Sequence, residues 1–389
     1  EQKCDNYLEH RQVGAASVTY NNTSSVLLIP VAISWDLANH EVMANFLGQE
    51  MTKETMLGLY KAQKEFGATR KIDELLKNTM FDMGDLGLDM EAFFEHLSQY
   101  DSSNTQEPLD HRTIRKKEHR GLRLGNSHKL DQRFSCTKIE LDTFGHDSHP
   151  NEEWPISALS RVDRLTELRY ITGISRIKDH NPQLPIDDDD STPENFGLAN
   201  FNFGEGIFFE INHSWLMARA KDRILSRKEL ASMPHSFDWD RSTGGQLRQL
   251  PCLEIAENRN PFTILHSLSH LLMKQLCQMS GYSLGSIRER LYLDADAGDV
   301  TSAGILIYTS GPSSDGTLGG LCGQANQKRI NLLIEQSLES RLNCSNDPIC
   351  SEHQPLKQEP NGAACHTCLI LPETSCELRN HMLDREWGG

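Results

Sequence analysis

The stretch AACHTCLILPETSC, residues 363–376, places Cys365, Cys368 and Cys376 within twelve residues, and Cys344 and Cys350 lie shortly upstream. Such a cluster can be a disulfide framework, a redox pair, a metal site or ordinary core thiols. Zinc needs four soft ligands converging tetrahedrally, and a CxxC turn supplies two of them from one tight loop. Cys365 and Cys368 form that knuckle, Cys376 can return from the following turn, and Cys344 or Cys350 closes the set, with Cys350 preferred. Five cysteines for four places leave one over; His353 and His366 are poorer candidates. The segment CSNDPICSEHQPLKQEPNGAACHTC, residues 344–368, is too polar and too rich in Pro, Asn and Gly to fold around its own core, and a metal staples such a loop. A thioredoxin-type pair fits less well, because no βαβ pattern frames the CxxC. With thiolates in all four positions no place stays open for water, so the expected zinc is structural.

Composition narrows the setting. A chain of 389 residues with 37% hydrophobic and 24% charged residues reads as a globular protein of two or three domains. The N-terminus EQKCDNYLEH shows no basic and no apolar segment of a signal peptide, and no apolar run is long enough to span a membrane, so a cytoplasmic, reducing location is expected. The chain lacks an initiator Met, as a fragment of a longer protein or a processed one would. Cys4, Cys136, Cys252 and Cys277 are scattered singles and read as buried apolar thiols.

Three regions of a mixed α/β (α+β) chain are expected. Residues 1–125 carry a strand in SSVLLIPVAI (24–33), helices over 52–66 and 69–83, and an exposed basic linker over 101–125. In residues 126–250, ALSRVDRLTELRYITGISRI (158–177) reads as a helix, the aspartates 187–190 as a solvated loop, 204–211 as a strand and 214–231 as a helix. Residues 251–389 form a zinc-stapled α/β domain. Here a helix over 260–281 starts at Asn260 or Thr263 and stops at Gly281. The apolar run 303–310 reads as a strand covered on both faces, 311–320 as a Gly-rich loop, and 327–342 as a second helix.

Two constellations invite a catalytic reading. His266 and His270 stand four apart, as in a zincin, but Ser267 occupies the place of the glutamate base, so buried histidines are the simpler reading. The loop GPSSDGTLGG lacks the Gly-Lys-Ser/Thr ending of a P-loop. No Walker A motif, nucleophile elbow or dinucleotide fingerprint is present, so no enzyme activity is expected of this chain. Its net charge of −16 opposes DNA binding through the whole surface. The densest basic patch is RTIRKKEHRGLR, with Arg112, Arg115, Lys116, Lys117, Arg120 and Arg123; it reads either as a solvated linker or as a local phosphate-contacting patch.

The runs HSLSHLLMKQL, GYSLGSIRERLY, AGILIYTSGPSSDGTLGGL, CSNDPIC and AACHTCLILPETSCELRNHMLDR strongly resemble the C-terminal domain shared by MrfA-type helicases and the DrmB-like component of the DISARM phage-defence system. GAASVTYNNTSSVLLIP, VDRLTELRYITGISRI and FGEGIFFEI resemble further DrmB-like segments, with Ala16-Ser17-Val18 departing from the family's Ser-Asn step. The resemblance implies an accessory subunit that accompanies a superfamily 2 DNA helicase of the DrmA kind and, through it, DNA, along with other defence components. It also implies a zinc site on the cluster Cys344/Cys350, Cys365, Cys368 and Cys376. The alternative is a metal-dependent nuclease or hydrolase using the His266/His270 pair.

Overall fold

The computed structural model describes residues 19–29, 111–125, 134–140, 154–176, 179–183, 198–222, 259–296, 299–309, 320–353 and 361–387. In chain order these contain β1 (Thr19–Leu27), α1 (His111–Leu124), β2 (Ser135–Ile139), β3 (Ile156–Arg176), β4 (Asp179–Gln183), β5 (Ala199–Ile211), α2 (His213–Asp222), α3 (Arg259–Ser280), β6 (Ile287–Asp296), β7 (Asp299–Thr309) and α4 (Gln327–Arg341). The expected helices over 52–66 and 69–83, the aspartates 187–190, the Gly-rich loop up to residue 319, and Cys4 and Cys252 lie outside the described residues.

The strands form one sheet of order β1-β3-β5-β7-β6, with β2 and β4 also paired to β3. All of these pairings are antiparallel. Helix and strand are therefore mixed as expected, in the α+β manner rather than around a parallel sheet. Strands from all three expected regions enter this sheet: β1 from the first, β2 to β5 from the second, β6 and β7 from the third.

Strand period puts alternate residues on opposite faces. Along β7, Ala303, Ile305 and Ile307 join the core under α3, while Leu306 and Tyr308 join a second core with Leu122 of α1. The strand is thus covered on both faces, as its apolar run predicts. Helix α3 is buried nearly all round from Pro261 to Met273, and α2 and α4 pack against it. It spans Arg259–Ser280, so both Asn260 and Thr263 lie inside it, and it stops just before Gly281, whose φ of +80° suits a residue without Cβ. Helix α4 is capped by the Asn326 side chain, which accepts from the Arg329 N–H at 3.2 Å. Among the described residues no helix is long and apolar enough to cross a membrane.

Two expectations fail. The expected helix over 158–177 is, as far as residue 176, most of β3, a 21-residue strand paired to β1, β2 and β5. Leu159, Val162 and Leu165 recur every three residues, which mimics helical period. In the strand, register shifts around 162–165 let Leu159 face one core and Val162 and Leu165 the other. Likewise, the basic linker is in large part α1, whose buried face carries Arg115, Glu118, His119 and Leu122. The polarity of the segment suggested exposed chain, but three of its charged or polar residues face inward.

Glu118 is fully buried beneath α1. Its carboxylate accepts from Arg290 Nε at 2.7 Å and Nη2 at 2.8 Å, from the Leu27 N–H at 2.9 Å and from the Tyr292 hydroxyl at 3.2 Å. Arg290 also donates to the Ser25 hydroxyl and carbonyl, so one bidentate pair joins β1, α1 and β6 with its polar atoms satisfied. Beside it, His119 lies between Asp294 Oδ2 at 3.1 Å and Glu210 Oε2 at 2.8 Å, with its ring stacked on Tyr292. Gly304 makes room for this packing: a Cβ there would come within 2.7 Å of the Phe208 ring and 3.0 Å of His119 Nε2.

Candidate metal centres

Cys344 and Cys350 follow α4, and Cys365 and Cys368 form a tight turn in which the Cys368 N–H reaches the Cys365 carbonyl at 3.2 Å. The four sulfurs converge. Cys344 Sγ lies 3.5 Å from Cys365 Sγ, and Cys368 Sγ lies 3.6 Å from both Cys350 and Cys365. Tetrahedral zinc with Zn–S near 2.3 Å sets sulfurs about 3.8 Å apart, so these thiols need move only a few tenths of an ångström. The Cys365 N–H also donates to Cys368 Sγ at 3.2 Å, the kind of contact that stabilises a thiolate. Burial raises the Cys365 thiol, but hydrogen bonds from Cys368, Cys344 and Thr367 outweigh it and bring the pKa down to about 6.

Two cations flank the cluster. Lys274 of α3 donates to the carbonyls of Cys368 at 2.6 Å and Thr367 at 3.1 Å. Arg385 pairs with Asp347, and burial, which lowers its pKa, is outweighed by its contacts with Cys350 and Asp347. A zinc bound by four thiolates carries a net charge of −2, which these side chains offset. Neither was visible in the sequence, because each meets the cysteines only through the fold.

Both upstream cysteines therefore enter the set, and Cys376 is the one left over. The turn of residues 373–375 carries it away from the knuckle, and its sulfur lies 3.1 Å from His266 Nε2, fully within the core. His266 Nε2 is 3.0 Å and His270 Nε2 3.3 Å from Glu289 Oε1. His270 Nδ1 lies 2.8 Å from the Leu369 carbonyl, whereas His266 Nδ1 and Glu289 Oε2 meet no hydrogen-bond partner. Glu289, in β6, was not singled out in the sequence. His353 contacts the Gly362 carbonyl, and His366 is exposed; neither joins a metal-competent group among the described residues.

The basic patch is divided by α1. Arg115, expected to touch phosphates, is buried, ion-paired with Glu377 and bonded to the Leu291 carbonyl at 3.3 Å, so it holds the fold instead. Arg120 and Arg123 are exposed, and Lys116 and Lys117 half-buried. The Arg112 side chain lies outside the described residues.

Residues 268–369 match the family described as MZB, the MrfA Zn-binding domain. The chain is also 30% identical over 308 residues, 76% of its length, to the DISARM protein DrmB of Bacillus paralicheniformis (strain ATCC 9945a / NCIMB 11709 / CD-2). That alignment takes in 51% of the relative, so the chain spans about half the length of the curated protein it matches. The chain is thus a DrmB homologue with a MrfA-type Zn-binding domain. The match and the convergence of Cys344, Cys350, Cys365 and Cys368 together support a structural zinc.

Proposed function

We propose that this chain is a non-catalytic, zinc-containing accessory subunit of cytoplasmic anti-phage defence, one that binds a DrmA-like superfamily 2 DNA helicase or translocase and helps it engage DNA. The observation that carries the reading is the similarity to DISARM protein DrmB, which extends over three-quarters of the chain and well beyond the zinc domain. The sequence lacks Walker motifs, so the ATP-driven step belongs to the partner. The zinc, enclosed by four cysteines, holds the segment after α4 against α3. An obligate interface with the helicase is expected to bury roughly 2,000 Å² or more. The acidic surface docks on basic helicase faces, and the outer side of α1, with Lys116, Lys117, Arg120 and Arg123, touches phosphates.

The competing hydrolase reading rests on the His266/His270 pair. Both rings are fully buried, with no side left for a substrate phosphate, which weighs against it. Helicase ATPase activity measured with and without this chain tests the proposal. Stimulation by a chain inert alone supports it; metal-dependent DNA cleavage by the isolated chain, lost in His266→Ala, supports the hydrolase.

A further inference from the structure

We propose that His266, His270, Glu289 and Cys376 form a second metal-binding site, a closed four-ligand centre for a zinc-class divalent ion between α3 and β6. The Zn-binding domain match, residues 268–369, takes in His270 and Glu289 but neither His266 nor Cys376, so it does not span this ligand set. One ligand atom from each of the four groups lies within 4.8 Å of all the others. Tetrahedral zinc places N, O and S donors roughly 3.3 to 3.6 Å apart. The separations of 3.0, 3.1 and 3.3 Å are within a few tenths of an ångström of that.

The fold aims each donor. His266 and His270, four apart on α3, project from one helix face, with ring centroids 4.5 Å apart. Glu289 shares its face of β6 with Ile287 and Leu291, both in the core under α3. Cys376 arrives from the C-terminal loop, which lies along β6: the Glu289 N–H donates to the Ser375 carbonyl at 3.1 Å.

Hydrogen bonding favours a cation. His270 Nδ1, 2.8 Å from the Leu369 carbonyl, must carry a proton there, because a carbonyl only accepts. Neutral His270 then turns the Nε2 lone pair toward Glu289 Oε1 at 3.3 Å, two acceptors face to face. A metal ion between them resolves this, and an imidazole held through Nδ1–H by a carbonyl is the usual arrangement of a histidine ligand. Cys376 Sγ is itself an acceptor, from the Asn380 N–H at 3.0 Å. That N–H is aimed by a left-handed turn, with φ of 50° at Arg379 and 62° at Asn380. A divalent ion with one carboxylate, one thiolate and two imidazoles sums to zero charge, which suits four groups none more than 4% exposed. The competing arrangement is a doubly protonated His270 paired with Glu289, with Cys376 as a thiol.

Elemental analysis of the full chain, purified without chelator, separates the two. Two zinc-class ions per chain are expected, falling to one in Glu289→Gln or Cys376→Ser, and to one in Cys365→Ser, which empties the other centre. X-ray absorption on the wild type is expected to give five sulfur and three nitrogen or oxygen ligands shared by two ions, and decides the matter even if a variant fails to fold. A single ion with only sulfur ligands, or a second ion retained by both Glu289→Gln and Cys376→Ser, would overturn the proposal.

Discussion

Glu289 and Arg290 are neighbours in β6, yet they serve opposite faces of the sheet: Glu289 meets His266 and His270 of α3, and Arg290 meets Glu118 of α1. Two buried polar clusters are thus fixed back to back through one strand. The C-terminal loop adds to both, because the Glu377 N–H donates to Glu289 at 3.0 Å while its carboxylate pairs with Arg115 of α1. The order of the tail around Cys376 and the position of α1 are therefore mechanically linked.

The Glu118–Arg290 pair yields the first prediction. Removing one partner of a buried, satisfied pair leaves an uncompensated charge, at a cost of about 3–5 kcal/mol. Glu118→Ala is expected to lower stability by that order in chemical denaturation, and an unchanged midpoint would contradict the role.

His119 predicts a pH dependence. Burial lowers its pKa, but Asp294 and Glu210 outweigh that and raise it from 6.5 to about 9. A raised folded-state pKa stabilises fully below pH 6.5, and the contribution is lost as pH climbs through 9. The difference is on the order of 3 kcal/mol. Between pH 6 and pH 10 the wild type should lose more thermal stability than His119→Gln; parallel curves would count against the charged histidine.

Zinc removal is a third. Cys365→Ser and Cys368→Ser are each expected to lose the ion held by the four-cysteine cluster and to expose residues 344–369 to proteolysis, with the sheet intact, because that segment has little apolar core of its own. A resistant, metal-free variant would show that packing alone holds it.

The basic residues separate by burial. Arg120→Glu should weaken DNA binding by the helicase complex and flatten its salt dependence, leaving stability nearly unchanged, because Arg120 is exposed, whereas Arg123 also pairs with buried Glu210 at 3.7 Å. Arg115→Ala should do the reverse, lowering stability through the lost Glu377 contact. Equal effects on DNA affinity from both would place phosphate contacts elsewhere.

Much of the C-terminal half was legible. β7 announced itself as an apolar run with both faces covered, α3 by its apolar length and Gly281 stop, and the zinc knuckle by CxxC spacing. Where the reading failed, the cause was local. In β3 the bulge around residues 162–165 converted a strand's alternation into a spacing of three, and in α1 the inward face is Arg115, Glu118 and His119, whose partners Glu377, Arg290 and Asp294 lie far along the chain. The cysteines were all seen, but their division into two centres depends on the turn after Leu371, which separates Cys376 from Cys368. Glu289 had no signal at all: its role exists only where β6 passes beneath α3.

The most direct measurement is co-purification of this chain with the superfamily 2 helicase of the same defence system, with zinc quantified in the same sample. A stable complex at fixed stoichiometry, with zinc bound to this chain, is the expected result. A zinc-free chain that elutes apart from the helicase at micromolar concentration, with and without DNA, would contradict the accessory-subunit reading.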